Sequence, residues 1–166
     1  MLQLPVPAFE PFVRARYEHY DSDYVSADPG FVHAHVTVLG PWLTDPSAGE
    51  LEAVRDIAAS TPAFTVRMDE VELAHGGMIC LRPKPVAPCA TLTGRLITAF
   101  PGCVPYQGRY ATAPHLTLDQ RSSGVGVGSV RAMLGSVLPL TAVMDRLDVA
   151  WYEPGACRVL ASFPLG

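Results

Sequence analysis

The sequence predicts an α+β fold, arranged as two pseudo-symmetric lobes around a central cleft. Three observations carry that expectation. The chain has 166 residues, 49% of them apolar and 17% charged, which is the composition of a folded domain able to bury a core. Two segments share one short pattern, His-x-Thr followed by an apolar residue, at His35/Thr37/Val38 and His115/Thr117/Leu118. The order of elements around the first pattern then recurs around the second.

In chain order, Leu2 to Val6 reads as a short apolar strand. Pro11 stands where the first turn of a helix tolerates proline, and Phe12 to Tyr20 continues that helix. Asp21 to Gly30 is polar, ends on Pro-Gly and reads as a loop. The first His segment, His33 to Leu39, is β-branched and apolar enough for a buried strand, and Gly40-Pro41 ends it. Asp45-Pro46 reads as an N-cap with proline at the first helical position, opening a helix to about Ser60. Phe64 to Ala74 and Met78 to Leu81 are strands joined at Gly76-Gly77, a hairpin signal. Pro88 opens a helix to about Ala99, and Pro101 to Tyr110 is loop. The second His segment, Pro114 to Leu118, leads to a Gly-rich helix around Gly128 to Val137. Leu140 to Trp151 and Arg158 to Phe163 close the chain as a hairpin around Pro154-Gly155.

The recurrence is visible in residues as well as in order. The stretch from Phe64 to Ala74 lies over that from Leu140 to Ala150, with Thr65/Thr141, Met68/Met144, Asp69/Asp145 and Ala74/Ala150 identical. Glu72/Asp148 keeps its charge. The offset there is 76, and between His35 and His115 it is 80. An internally duplicated α+β unit accounts for both. Its lobes would be built roughly from residues 1–83 and 84–166 of a single domain, 1–166, between which strands could be exchanged.

Side chains two apart on a strand share a face about 6.6 Å apart. Each motif therefore points an imidazole and a hydroxyl the same way, with Val36 or Leu116 on the other face. Two such strands side by side would line a cleft with His35, Thr37, His115 and Thr117. By chance, roughly one chain in a hundred of this composition would carry two such motifs. The chemistry that fits is phosphoester cleavage without a metal. One imidazole serves the attacking oxygen and the other the leaving oxygen, near neutral pH. Two hydroxyls donate to the non-bridging oxygens.

Other residues are candidates for contacting a substrate. Trp42 follows the first motif, and Tyr106, Arg109 and Tyr110 lie in the loop feeding the second. Their aromatic faces could stack a base, and Arg109 could meet a second phosphate. The same aromatic residues could instead pack structurally at the cleft rim. Tyr24 reads as a lid or base contact, and His33 as a cleft-edge residue tuning His35. His33-x-His35 could also share a zinc, but no third or fourth ligand accompanies the pair, so no metal and no cofactor is expected. Gly124 to Gly128 lacks the Gly-Lys-Ser/Thr ending of a P-loop and reads as a turn.

A net charge of −4 and pI near 5.7 argue against a surface that tracks long nucleic acid. A nucleotide or an RNA end could still be held by a few donors. Cys80, Cys89, Cys103 and Cys157 form no C-x-x-C pair, as expected of reduced thiols in the cytoplasm. No signal peptide is visible at the start, and no apolar stretch has the length of a membrane span.

The chain resembles the 2H phosphoesterase superfamily, in its bacterial 2′-5′ RNA ligase-like (LigT-like) branch. The residues that carry the likeness run nearly end to end. They are Leu4-Pro-Val-Pro7, Ala34-His-Val-Thr-Val-Leu-x-Pro41, Pro105-Tyr-x-Gly108, Pro114-His-Leu-Thr-Leu118 and Phe163-Pro-Leu-Gly166. The resemblance implies two lobes, each with an antiparallel sheet and helices on its outer face. It implies hydrolysis of a ribose 2′,3′-cyclic phosphate to a 2′-phosphate, or reversible 2′-5′ joining of RNA. It would make His35 the proton donor to the leaving oxygen and His115 the acceptor that activates water, with Thr37 and Thr117 holding the phosphate. The partner would be a small nucleotide or RNA terminus, met by a cytoplasmic monomer. His33 and the Tyr17/Tyr20/Tyr24 group are departures from the family pattern. They leave room for another reading, a scaffold that binds or converts a nucleotide-like metabolite in a biosynthetic step.

Overall fold

The computed structural model describes residues 1–108 and 113–166, apart from the side chains of Tyr106 and Gln107. Strand β1 (Leu2–Pro5) leads into helix α1 (Glu10–Tyr20), with Pro11 in its first turn. Strand β2 (His35–Leu39) follows, then α2 (Ala48–Ala59). The expected N-cap at Asp45 shifts to Ser47, because Ser47 and Glu50 form a reciprocal capping box. Ser47 Oγ accepts from the Glu50 amide at 3.3 Å, and Glu50 Oε2 accepts from the Ser47 amide at 2.7 Å.

The stretch expected as one strand from Phe64 breaks in two, β3 (Phe64–Met68) and β4 (Val71–Leu73). The break falls at Asp69, whose carboxylate accepts from Arg67 Nε and Lys84 Nζ, both at 2.9 Å. Its repeat partner breaks at the matching Asp145, into β7 (Leu140–Met144) and β8 (Arg146–Trp151). Met68 and Met144, each one residue before the corner, are fully buried. Strand β5 (Met78–Leu81) is joined to β4 through Gly76 and Gly77, with φ of 74° and 84°. Those left-handed values favour glycine. The remaining elements are α3 (Ala87–Ala99), β6 (Leu116–Gln120), α4 (Val127–Leu134) and β9 (Arg158–Pro164).

The fold is α+β. A seven-stranded sheet runs β4-β5-β6-β2-β1-β8-β9, and β3 pairs with β7 in a separate two-stranded sheet. Every strand pairing is antiparallel. Strand β5 therefore lies beside β6, and β8 beside β1, so each half of the chain places a strand next to one of the other. At the middle of the large sheet β2 and β6, which carry the two motifs, are neighbours. Val36, Val38, Leu116 and Leu118 are buried. Helix α3 packs against β2 and α1 against β6, while α2 meets β9 and α4 meets β4. The core lies under these helices. His35, Thr37 and Thr117 alternate with the buried residues and face away from it.

Candidate active site

The seam between β2 and β6 sets the geometry. Val36 pairs with Leu116 across it. His35 and Thr37 flank Val36 on β2, and His115 and Thr117 flank Leu116 at the start of β6, so the four residues gather around this one pair.

Both imidazoles are held in the same way. His35 Nδ1 lies 2.7 Å from the His33 carbonyl, and His115 Nδ1 lies 2.7 Å from the Ala113 carbonyl. A carbonyl only accepts, so Nδ1 carries the proton in each ring and Nε2 is left for the cleft. His35 Nε2 is 3.2 Å from Thr37 Oγ1. Each threonine hydroxyl also meets a methionine of the next strand along: Thr37 Oγ1 lies 3.8 Å from Met1 Sδ, and Thr117 Oγ1 lies 3.4 Å from Met78 Sδ. A thioether is a weak acceptor, which a phosphate oxygen displaces readily.

Burial lowers the His35 pKa from 6.5 to about 4, against the upward pull of its bond to the His33 carbonyl. Positive charge on His115 or His33 pushes it the same way as burial. The neutral imidazole is thus the resting form of His35 at pH 7.

Several expectations for the surrounding residues are corrected. His33 is not at the cleft edge. Strand β2 starts at His35, residues 33 and 34 form a bend, and strand alternation does not reach back. His33 is 1% exposed, and both of its ring nitrogens are engaged. Nε2 accepts from the Ser26 amide at 3.1 Å, and Nδ1 lies 2.6 Å from Glu10 Oε1. Glu10 Oε2 accepts from the Ala34 amide at 2.9 Å, so this pair fixes the entry to β2. Burial would raise the Glu10 pKa, but the bonds from His33 and Ala34 bring it below the ordinary value.

Trp42 is a core residue, 6% exposed, with its ring edge-on to Phe100 at 5.4 Å. Tyr24 packs on a small cluster of Phe31, Ala150 and Cys157, which Tyr152 also joins. The neighbouring tyrosines are dispersed: Tyr17 lies against His33, and Tyr20 is exposed beside His19. Arg109, Tyr110 and the Tyr106 side chain lie outside the described residues. Among the described residues no three His, Cys, Asp or Glu gather where they could share an ion.

Sequence reasoning missed Tyr152 and Gln3. The Tyr152 hydroxyl lies 3.0 Å from Gln3 Oε1 and 3.3 Å from His35 Nδ1. Tyr152 lies one residue past β8 and beyond the repeated stretch, so the repeat carried no signal for it.

A model of the 2′-5′ RNA ligase superfamily matches residues 4–156, and the chain belongs to that superfamily. The same fold occurs in solved structures of low identity. E. coli LigT complexed with 3′-AMP is 19% identical with a TM-score of 0.55, over 99% of this chain and 95% of that one. The protein TT0787 of Thermus thermophilus is 15% identical with a TM-score of 0.60, over 99% and 96%. A further structure, described as a phosphoesterase, is 18% identical with a TM-score of 0.57, over 99% and 95%. E. coli LigT has also been solved with phosphate, ATP and NADP+. No curated protein matches the chain.

Proposed function

We propose that the cleft hydrolyses a 2′,3′-cyclic phosphate on a nucleotide or RNA end to a 2′-phosphate, using His35 and His115 as a proton-transfer pair and no metal ion. The observation that carries this reading is the pair of imidazoles at one strand seam. Both have Nδ1 tied to a carbonyl, and each is followed two residues on by a threonine. Water attacks phosphorus as His115 Nε2 takes its proton. The bond from phosphorus to the 3′ oxygen breaks, and that oxygen receives a proton from His35 Nε2. Thr37 and Thr117 donate to the non-bridging oxygens as charge builds on them.

A neutral resting His35 fits the donor role once substrate is bound. The phosphate anion beside the ring favours the imidazolium, so His35 Nε2 takes up a proton from solvent as the substrate binds. Small nucleotides in the LigT structures support a substrate of this size. On this reading the protein works as a cytoplasmic monomer. No described helix is long and apolar enough to cross a membrane.

The test is turnover of 2′,3′-cyclic nucleotides and of RNA with a cyclic phosphate end, with EDTA present. His35→Ala and His115→Ala are each expected to lower turnover by about 10²–10⁴-fold while the protein stays folded. Undiminished turnover in either variant would overturn the assignment. Joined product from two supplied RNA halves would move it to the ligation direction.

A further inference from the structure

The two motifs match at the ring but not behind it. On β1 the residue opposite Thr37 is Gln3, and on β5 the residue opposite Thr117 is Cys80. One strand further out, Asp148 pairs with Gln3 where Glu72 pairs with Cys80. Four residues beyond these come Tyr152 on one side and Gly76 on the other. A polar pair therefore stands behind His35, whereas the corresponding positions of the other half hold a buried thiol, Cys80, and a glycine, Gly76. The Nδ1 bond of His35 is part-buried, whereas that of His115 is open to solvent.

The polar pair has a direction. Gln3 is wholly buried, and its Nε2 donates to the Val32 carbonyl at 3.2 Å. That bond fixes which end of the amide faces Tyr152. Gln3 Oε1 then takes the hydroxyl proton of Tyr152, leaving a lone pair of the phenol oxygen to face the Nδ1–H of His35 at 3.3 Å. The Tyr152 ring is held edge-on to Phe31 at 5.0 Å, and its centroid lies 5.9 Å from that of His35.

We propose that Tyr152 and Gln3 are positioning residues for His35, giving its Nδ1–H a second acceptor beside the His33 carbonyl so that Nε2 stays aimed at the phosphate site. The pair acts on one half of the duplicated site and makes it the rigid half. This rests on the reading of His35 as a proton-transfer group.

The test uses Tyr152→Phe, which keeps the ring against Phe31, and Gln3→Met, which keeps the length. Exchange of the His35 Nδ1 proton, followed by NMR, does not depend on turnover. It is expected to quicken about tenfold or more in both variants, as an outer hydrogen bond is lost. With a cyclic nucleotide, kcat is expected to fall about tenfold at nearly unchanged KM, as the ring loses its aim. The double variant is expected to fall no further than the singles, because the two side chains form one chain of bonds. Unchanged exchange together with wild-type kcat in Tyr152→Phe would overturn the inference, and that variant still decides the matter if Gln3→Met does not fold. If His35→Ala also keeps full turnover, the functional reading fails with it. If His35→Ala is inactive, only the positioning role fails.

Discussion

A histidine largely desolvated by its surroundings resists protonation, and that resistance is measurable as stability. The folded pKa of His35 is about 4 against an ordinary 6.5. Between those values the unfolded chain binds a proton that the folded chain does not, so stability falls as pH drops through that window and is fully present above it. Wild type is therefore expected to lose more unfolding free energy than His35→Gln between about pH 7 and about pH 5, as read by urea denaturation. Glu10 adds a loss at more acid pH, since its lowered pKa stabilises the fold only while the carboxylate is ionised. The His-x-Thr pairs were legible because strand alternation is local: residues 35 and 37 need only each other to share a face. The fates of His33 and Trp42 were not legible. Each is decided by a residue distant in sequence, Glu10 for the first and Phe100 for the second.

At the scale of elements, local chemistry fixed the helices well and the strand ends poorly. The capping box at Ser47 is a four-residue signal, yet Asp45-Pro46 nearby presents a competing one. Ser47→Ala is expected to lower stability by about 1 kcal/mol in thermal or urea unfolding. Asp45→Ala is expected to change it by less than about 0.5 kcal/mol. The corners at Asp69 and Asp145 are marked in the sequence only by a slip of alternation, the apolar residue after Met68 standing three positions on, at Val71. Val66, Met68 and Val71 are all buried, although β3 and β4 belong to different sheets. What turns the chain at Asp69 includes an ion pair with Lys84, and no window around Asp69 contains that residue.

For the whole molecule, the repeat in sequence marks two halves, and hydrogen bonding decides which strands cross between them. Strand β5 of the first half pairs with β6 of the second, and β8 of the second with β1 of the first. A chain cut between Gly76 and Gly77 would leave one piece with β4 lacking β5, and another in which β8 keeps β9 but lacks β1. Neither piece is expected to unfold cooperatively alone, whereas mixing them is expected to restore the native circular dichroism and a single transition. Two pieces that each fold independently would contradict the crossing. Tyr152 belongs to this scale too. It comes from the second half, 117 positions after His35, and meets that ring because β8 lies next to β1.

Both motif imidazoles are tethered to main-chain oxygens, of residues 33 and 113, and one of these positions is histidine while the other is alanine. An anchor made of backbone survives any exchange of the side chain it hangs from. Evolution can thus rewrite the approach to each motif, as it has done here, while the orientation of the imidazole passes unaltered from one version to the next.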